Sequence, residues 1–528
     1  MEEVDVAIVG GGVAGLAAAV ALNQVQPDLR IKVMESRPSP LGKYGGFVKL
    51  QPNGLKAAAA ISPALAAAMT AQSLPEKKTL LHGDDGRLIM RLDTRLELAP
   101  APSGPLDELC GRGEAVSATR NADEHSQSRI IGWSELERLL IEQLPEHTVE
   151  YEASFLKYHE SEGGVVAIFE GLAYPLRSQV LLGCDGPFSG VRAHCVQDSE
   201  PAYDRTVKWV GRLDGHHVST TPLDFEALWV KKGQVFVSHP LINGDVGWEA
   251  VVGDRELQAA GFSYDEGLGR VLPVGAAREV KEGGGLPDMA PSQALLEVFK
   301  GWPRAVEQMI RSAPLEAVLE GGVYIRSASD LPPSMGKGRV AIMGEAAHPL
   351  RPTGQDSNIA LEDAAELAAF VQEYGLTKEA LRRYDVARRP RWRHVMQLTW
   401  AQGASTATGS ALSQGFIDYT QDLFRRDFRP LHPPGASPAA ALAKLGSAVK
   451  AGAAAGAAKV GASSSAAATS GSGAEAGEAG AARPGRRGRI ALALRLALRA
   501  GGSGQGGGDR CGGGSSKEAG QQALHQGG

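Results

Sequence analysis

The sequence predicts an α/β fold in which one discontinuous domain, 1–200 with 320–400, is interrupted by a mainly β segment at 201–319. Three observations predict it. The chain opens with an apolar run, a glycine turn, an alanine-rich helical stretch and a second apolar run, the pattern of a βαβ unit. Residues 207–252 read as strands separated by turn residues. A second buried strand, "GRVAIMG" at 338–344, then precedes helical sequence and restores the αβ alternation.

The first strand is expected at 4–9, the helix at 14–23 and the second strand at 31–35. Between the first two lies "GGGVAG", which sets Gly10, Gly12 and Gly15 in G-x-G-x-x-G spacing. Gly10 permits the tight turn, Gly12 lets a pyrophosphate approach the backbone, and Gly15 lets helix and strand pack closely. The helix start at Val13 and Ala14 turns free N–H groups and the positive dipole end toward such phosphates. Glu35, 20 residues after Gly15 and followed by Ser36 and Arg37, can accept both ribose hydroxyls of an adenosine. The fingerprint leaves NAD and FAD both open.

In the middle of the chain, "VKWVGRL", "ALWVKKGQVFVSHPL" and "GWEAVVGD" are expected as strands. "LLEVFKGWPRAVEQMIRSAP" reads as helical, and so does "TKEALRRYDVARRPRWRHVMQLTW". In the latter, Arg388, Arg389, Arg391 and Arg393 read as a solvated helix face. A helical extension is expected at 401–434. From 435 to 528 the chain is mostly Ala, Gly and Ser, has little apolar surface to bury, and is expected to be a disordered tail. Within it, "RIALALRLALR" repeats leucine at every second position and offers no clean helical stripe.

Three further stretches carry chemistry. "GGFVKLQPNGLKAA" spans 45–58, "GCDGPFSGVR" spans 183–192 after the strand "QVLL", and "GEAAHPLRPTGQDSN" follows "RVAIM". In the second, a Ser and an Arg are suited to steadying phosphates or the loop itself. Together with the N-terminal fingerprint, these stretches resemble the single-component, FAD-dependent aromatic hydroxylases, a family that includes salicylate and urate hydroxylases and zeaxanthin epoxidase. The resemblance covers about residues 4–400, with the motifs in the family's order.

That resemblance implies a Rossmann-like FAD-binding domain carrying the inserted β substrate domain. It implies a monooxygenase that takes NAD(P)H as co-substrate and uses O2 to hydroxylate or epoxidise a hydrophobic, aromatic or cyclic small molecule. The FAD contacts it implies are Gly10, Gly12, Val13, Ala14, Gly15, Glu35, Ser36, Arg37 and Gly46, then Asp185 and Gly186 near the path of NAD(P)H. The last set is Glu345, Pro352, Gly354, Gln355 and Asp356. There the acid of a G-D pair binds the ribityl chain, and a G-Q-G segment presents backbone N–H groups to the pyrimidine edge of the ring. Such donors stabilise negative charge on the reduced ring.

The chain departs from the family pattern at three places. Glu345 is one methylene longer than the usual Asp. Asp356 replaces the second Gly of G-Q-G; Asp tolerates unusual backbone angles and can cap a helix. The family has an Arg before the helix in which Trp133 appears here, and Arg129 lies four residues too early to replace it. Tyr44, His239 and Trp248 are candidates for lining a substrate pocket. His348 is expected to be a loop residue bonded to backbone, because oxygen transfer from a flavin needs no protein nucleophile, and no catalytic residue is assigned. His216 and His217 would point to opposite faces of a strand, so no shared metal is expected.

Two other functions fit the same scaffold: a flavin oxidoreductase that does not transfer oxygen, or an FAD-binding protein that has lost turnover. A W-x-W-x-I-P segment is absent from the sequence, which speaks against a halogenase-like relative. Bulk properties narrow the partners further. Hydrophobic residues at 43% and charged residues at 22% are ordinary for a soluble globular chain. A formal charge of −5 gives no reason to expect nucleic acid or an anionic membrane. The cysteines Cys110, Cys184, Cys195 and Cys511 are scattered, form no C-x-x-C, and suit a reducing compartment. Glu2, Glu3 and Asp5 precede the apolar N-terminal run and glycines interrupt it, so a cytosolic location is expected over a signal peptide, with an organelle the alternative if this Met is not the true start.

Overall fold

The computed structural model describes residues 1–41, 45–76, 78–93, 127–214, 225–281, 291–314, 318–408 and 426–431. Tyr44, His216, His217, Cys110, Cys511, most of the 401–434 extension and the tail at 435–528 lie outside them. Apart from 267–269, the described residues belong to one compact unit of mixed α/β structure.

The chain forms β1 (Val6–Val9), α1 (Val13–Val25) and β2 (Ile31–Met34), then β3 (Phe47–Leu50) and α2 (Pro52–Ile61). It continues through β4 (Lys78–Gly83), β5 (Leu88–Asp93), β6 (Arg129–Gly132), α3 (Trp133–Ile141) and β7 (Val149–Glu150). Next come β8 (Val180–Gly183), α4 (Gly190–Cys195), β9 (Ala202–Leu213), β10 (Phe225–Lys231), β11 (Gln234–Pro240) and β12 (Val246–Gly253). After α5 (Pro291–Val298) and α6 (Arg304–Ser312) follow β13 (Leu319–Ile325), β14 (Gly336–Lys337) and β15 (Val340–Ile342). Two long helices, α7 (Asp356–Tyr374) and α8 (Lys378–Thr408), end the described core.

A six-stranded sheet runs in the order β14-β15-β8-β1-β2-β7, with the five strands from β15 to β7 parallel and β14 an antiparallel edge. Its central strands are apolar at every position and fully buried, as parallel strands covered on both faces must be. Helix α1 is buried almost throughout, because Ala and Gly side chains let it pack tightly between neighbours that include α7. The order reverses beside β1, since β2 lies on one flank and β8 on the other. The carboxyl ends of β1, β8 and β15 therefore meet around a switch point, where open α/β sheets bind ligands.

A seven-stranded sheet runs β13-β9-β12-β11-β10-β4-β5 and is antiparallel except where β10 meets β4. It is not confined to 201–319: β4 and β5 come from 78–93, far upstream in sequence. One separate core joins Trp209, Phe236 and Trp248 to Phe299, Trp302 and Met309. The helical stretch read as one piece at 295–314 breaks at Gly301, whose φ is +80°, before Pro303 starts α6. No helix among the described residues is long and apolar enough to cross a membrane.

Candidate functional site

Three loops leave the carboxyl ends of β1, β8 and β15. In the first, Gly10 has φ +101°, and a Cβ there would run into the carbonyl of Cys184. A Cβ at Gly15 would overlap the carbonyl oxygen of Gly10, so the turn closes only with glycine at both positions. Gly12 is different: a Cβ there meets nothing within 4 Å. Helix α1 has no side-chain cap, so the first-turn N–H groups at Val13 and Ala14 face that opening without a side-chain partner.

Glu35 lies against this turn, where a Cβ at Gly11 would come 3.0 Å from its carboxylate. Its carboxylate accepts from the Gly11 amide at 2.7 Å and the Arg37 amide at 2.8 Å, with Ser36 Oγ at 3.4 Å. Burial alone would raise this carboxyl, and the adjacent Arg37 guanidinium outweighs it and holds the group below its usual range. Arg37 is itself anchored on Glu137 at 2.6 Å.

The loop after β15 packs directly on α1. Gly344 has φ +62°, and a Cβ on it would sit 2.6 Å from that of Ala14. After β8, the Asp185 carboxylate turns onto its own loop, accepting from Ser189 Oγ at 2.5 Å and the Val191 amide at 3.1 Å. Ser189 caps α4 and Arg192 donates to the carbonyls of Ala346 and Ala347 at 2.9 and 2.8 Å. Of the two roles open for this Ser and Arg, their contacts serve the loop. Beside them, Gly186 has open space where a Cβ would stand.

The segment from Pro352 to Asn358 is stitched to β3 and α2. Gln355 donates to Gln51 and accepts from Asn53 Nδ2 at 3.0 Å. Asn358 accepts from the Gln51 amide at 2.8 Å and donates to the Lys49 and Gly354 carbonyls. A Cβ at Gly354 would lie 3.5 Å from Lys49 Cβ.

Two expectations are corrected here. Arg388 and Arg391 are not solvated: both are buried, while Arg389 is partly covered and Arg393 is exposed. Helical spacing separates the run, placing 388 and 391 toward α7. Arg388 binds Asp363 at 2.7 Å and Glu362 at 3.0 Å, and Arg391 binds Glu362 at 2.7 Å. His348 bonds a carboxylate and not backbone, with Nε2 2.7 Å from Asp363 Oδ2. The same oxygen accepts from the Gly344 amide at 2.9 Å. Burial would raise Asp363, but Arg388 and His348 beside it hold it low.

Lys208 on β9 reaches toward the two substituted acids. Its ammonium lies 3.8 Å from Glu249 and also attracts Glu345 and Asp356. Glu345 keeps accessible surface, and the protein packed around it raises its carboxyl against the pull of Lys208 and His348. Burial and the neighbouring Glu345 push Asp356 up to about 8, and its Oδ1 is buried without a hydrogen-bond partner. A folded-state value above the unfolded value of ~4 means that stability present at low pH is lost as pH rises toward 8. Asp356→Gly should therefore lose less thermal stability than the wild type between mildly acidic and mildly alkaline buffer, read by melting temperature in each.

Trp133, first residue of α3, packs over the Gly45 backbone, where a Cβ would come 2.8 Å from its ring. Arg129 is engaged by Ser73 and the Thr70 carbonyl and does not take the missing arginine's place. Gly46 approaches the large sheet, with Val210 2.9 Å from the position of a Cβ. Trp248 stacks on Phe236 inside that sheet's core. His239 is buried against Phe47, ring centroids 4.2 Å apart, with Nε2 3.2 Å from Glu226. Lys49 joins them, 2.8 Å from Glu76 and 3.3 Å from Glu226. Sequence reading missed Lys49, Glu76, Lys208, Glu226 and Glu249; strand alternation offered only that Lys49 shares a face with Phe47, and nothing local joins it to the other four.

No family model matches the chain. It is 25% identical over 394 residues to chloroplastic zeaxanthin epoxidase of Spinacia oleracea, covering 73% of this chain and 50% of the epoxidase. It is 27% identical over 400 residues to 3-amino-4-hydroxybenzoate 2-monooxygenase of Streptomyces cremeus, covering 74% and 85%. The chain thus spans about half the length of the plant epoxidases it matches. Among solved structures, Klebsiella pneumoniae HpxO complexed with FAD and uric acid superposes with a TM-score of 0.57 at 20% identity, over 80% of this chain and 93% of that one. The chain is related in sequence to these oxygenases and shares the fold of the FAD-dependent hydroxylases.

Proposed function

We propose that the chain is a FAD-dependent monooxygenase that uses NAD(P)H and O2 to hydroxylate or epoxidise a hydrophobic, aromatic or cyclic small molecule. The observation that carries this reading is the meeting of three motif-bearing loops at the ends of β1, β8 and β15, around an opening at Gly12 that a side chain would fill. The residues present fit FAD. The Gly10–Gly15 turn and the start of α1 would hold the pyrophosphate, and Glu35 the adenosine ribose. Gly344, Glu345 and the backbone at Gly354, Gln355 and Asp356 would hold the ribityl chain and ring.

Bound FAD would supply the redox and oxygen chemistry, which no side chain can. The chain's own residues position and shield. The Gln51, Asn53 and Asn358 bonds fix the Gly354–Asp356 backbone against α2, and Asp363 fixes Gly344. In this reading, 1–200 with 320–400 form the FAD-binding domain. The β-rich segment 201–319, together with β4 and β5, covers the substrate.

The test is the visible spectrum of the purified protein, followed on the same sample by NADPH in air. Flavin bands that bleach and recover, with ¹⁸O from ¹⁸O2 in a product, are the expected result. A protein that stays colourless with added FAD overturns the reading. Gly12→Ala should keep its melting temperature, a change within ~0.5 kcal/mol, while flavin affinity falls roughly tenfold or more, about 1.4 kcal/mol. Glu345 and Asp356 favour one second reading, a FAD-binding protein without turnover. Flavin that is retained but never bleached by NADPH would select it.

A further inference from the structure

We infer that Glu76 is a positioning residue for the loop proposed to hold the flavin: it shares one proton with Glu226, and that proton latches β3 onto the large sheet. The inference rests on the proposed function, which puts the cofactor against this loop. β3 supports the loop directly. The Lys49 carbonyl accepts from Asn358 at 2.9 Å, the Gln51 amide donates to Asn358 at 2.8 Å, and a Cβ at Gly354 would stand 3.5 Å from Lys49 Cβ. β3 also packs closely on the large sheet. A Cβ at Gly46 would come 2.9 Å from Val210, and one at Gly247 would come 2.9 Å from Phe47, so glycine lets the backbones approach this far.

The polar groups of this seam come from two sheets. β3 and the two-residue strand Leu74–Pro75 flank β6 in a small three-stranded sheet, which supplies Lys49 and, just past Pro75, Glu76. The large sheet supplies Thr79 on β4 and Glu226 on β10, which are register partners, and His239 on β11. Lys49 Nζ lies 2.8 Å from Glu76 Oε1 and 3.3 Å from Glu226 Oε2. Thr79 Oγ1 lies 3.2 Å from the first of these oxygens and 2.7 Å from the second. Its single hydroxyl hydrogen goes to the nearer oxygen, on Glu226. Glu226 Oε1 faces His239 Nε2 at 3.2 Å, so donors reach both of its oxygens. Glu226 is thus the carboxylate of the pair. Glu76, with 1% of its side chain accessible, is the member that keeps the proton.

The charged groups facing Glu76 are Lys49 from β3 and Glu226 from β10, with His239 on β11 beyond Glu226. One cation offsets one carboxylate, and a second carboxylate buried here would stand uncompensated. Burial pushes Glu76 up to about 8 against the pull of Lys49, and Glu226 adds to the rise. Burial would raise Glu226 as well, but Lys49 and His239 hold it well below its usual range. For Glu76, a folded-state value above the unfolded value of ~4 means a latch that is complete in acid and is lost as pH rises through about 8. Two carboxylates then repel each other across the seam, and the loop loses the support of β3.

The experiment dilutes the FAD-loaded protein and reads dissociation of FAD from the rise in flavin fluorescence, with melting temperature measured on the same samples. Glu76→Gln keeps a neutral side chain of the same shape at every pH. Relative to Glu76→Gln, the wild type is expected to hold FAD equally at about pH 6 and roughly tenfold more weakly at about pH 9. Asp356 titrates alike in both proteins, so the difference isolates Glu76. Equal pH dependence of the two proteins overturns the inference and leaves the proposed function standing. Failure of Glu76→Gln to fold, or to hold FAD in acid as the wild type does, overturns it too, since a neutral side chain is what the proton provides. A wild type that takes up no FAD at either pH overturns the proposed function, and this inference with it.

Discussion

Arg388→Met loses about 3–5 kcal/mol of folding stability, the cost of leaving buried carboxylates without their cation. The melting temperature is expected to fall by roughly 10 °C. The reason lies between α7 and α8, where the Arg388 guanidinium bridges Asp363 and Glu362 with no exposed surface on any of the three side chains. Removing it leaves Arg391 to serve Glu362, but Asp363 keeps only His348, the Trp392 indole N–H and the Gly344 amide. Because Asp363 anchors Gly344, the loss reaches the loop proposed to hold the cofactor, and flavin retention should fall with stability. Arg393→Met is the control: that side chain is exposed, and its replacement should stay within ~0.5 kcal/mol. Equal melting temperatures for the two variants would refute the account.

Acid should act on the same cluster. Burial would raise Glu362, and Arg391 and Arg388 override it to hold the carboxyl far below its usual range. Asp363 is depressed in the same way. Carboxyls depressed in the folded state contribute stability that is present above their unfolded value of ~4 and is lost as pH falls below it. Arg388→Met should therefore show a shallower acid-side decline in melting temperature than the wild type.

Gly15→Ala has the second large effect. The added methyl would overlap the Gly10 carbonyl oxygen and press on Ile8, both fixed by β1. Overpacking of this kind costs about 1–3 kcal/mol or more, because helix and strand must separate before the methyl fits. That separation moves the first turn of α1, so flavin retention should fall further than stability alone explains. The contrast with Gly12→Ala is diagnostic, since Gly12 faces open space and Gly15 faces backbone. If Gly15→Ala keeps both its melting temperature and its flavin, α1 does not pack on β1 as described.

How much was legible differs from motif to motif. The βαβ unit could be read because strand, turn and helix signals fall within one short window and the glycine spacing has a steric cause. The helix boundaries moved by one or two residues, 14–23 against Val13–Val25, as frayed ends do. The hairpin of β4 and β5 went unread, although its turn carries Asp84, Asp85 and Gly86 between two alternating runs. Nothing local says that this hairpin joins a sheet whose other strands begin more than a hundred residues later. The arginine run was misread for a related reason: its charge is local, but its partners Glu362 and Asp363 are on another helix.

The sequence by itself determined the βαβ start with its glycine spacing, the order of the motifs and the departures at Glu345, Asp356 and Trp133, because each depends on residue type and near-neighbour spacing. Only the tertiary structure decided what those departures meet. Lys208 and Glu249 come from β9 and β12, and they reach Asp356 through the sheet's pairing. Charge interactions depend on distance in space and on the water excluded around them, and neither quantity is written along the chain.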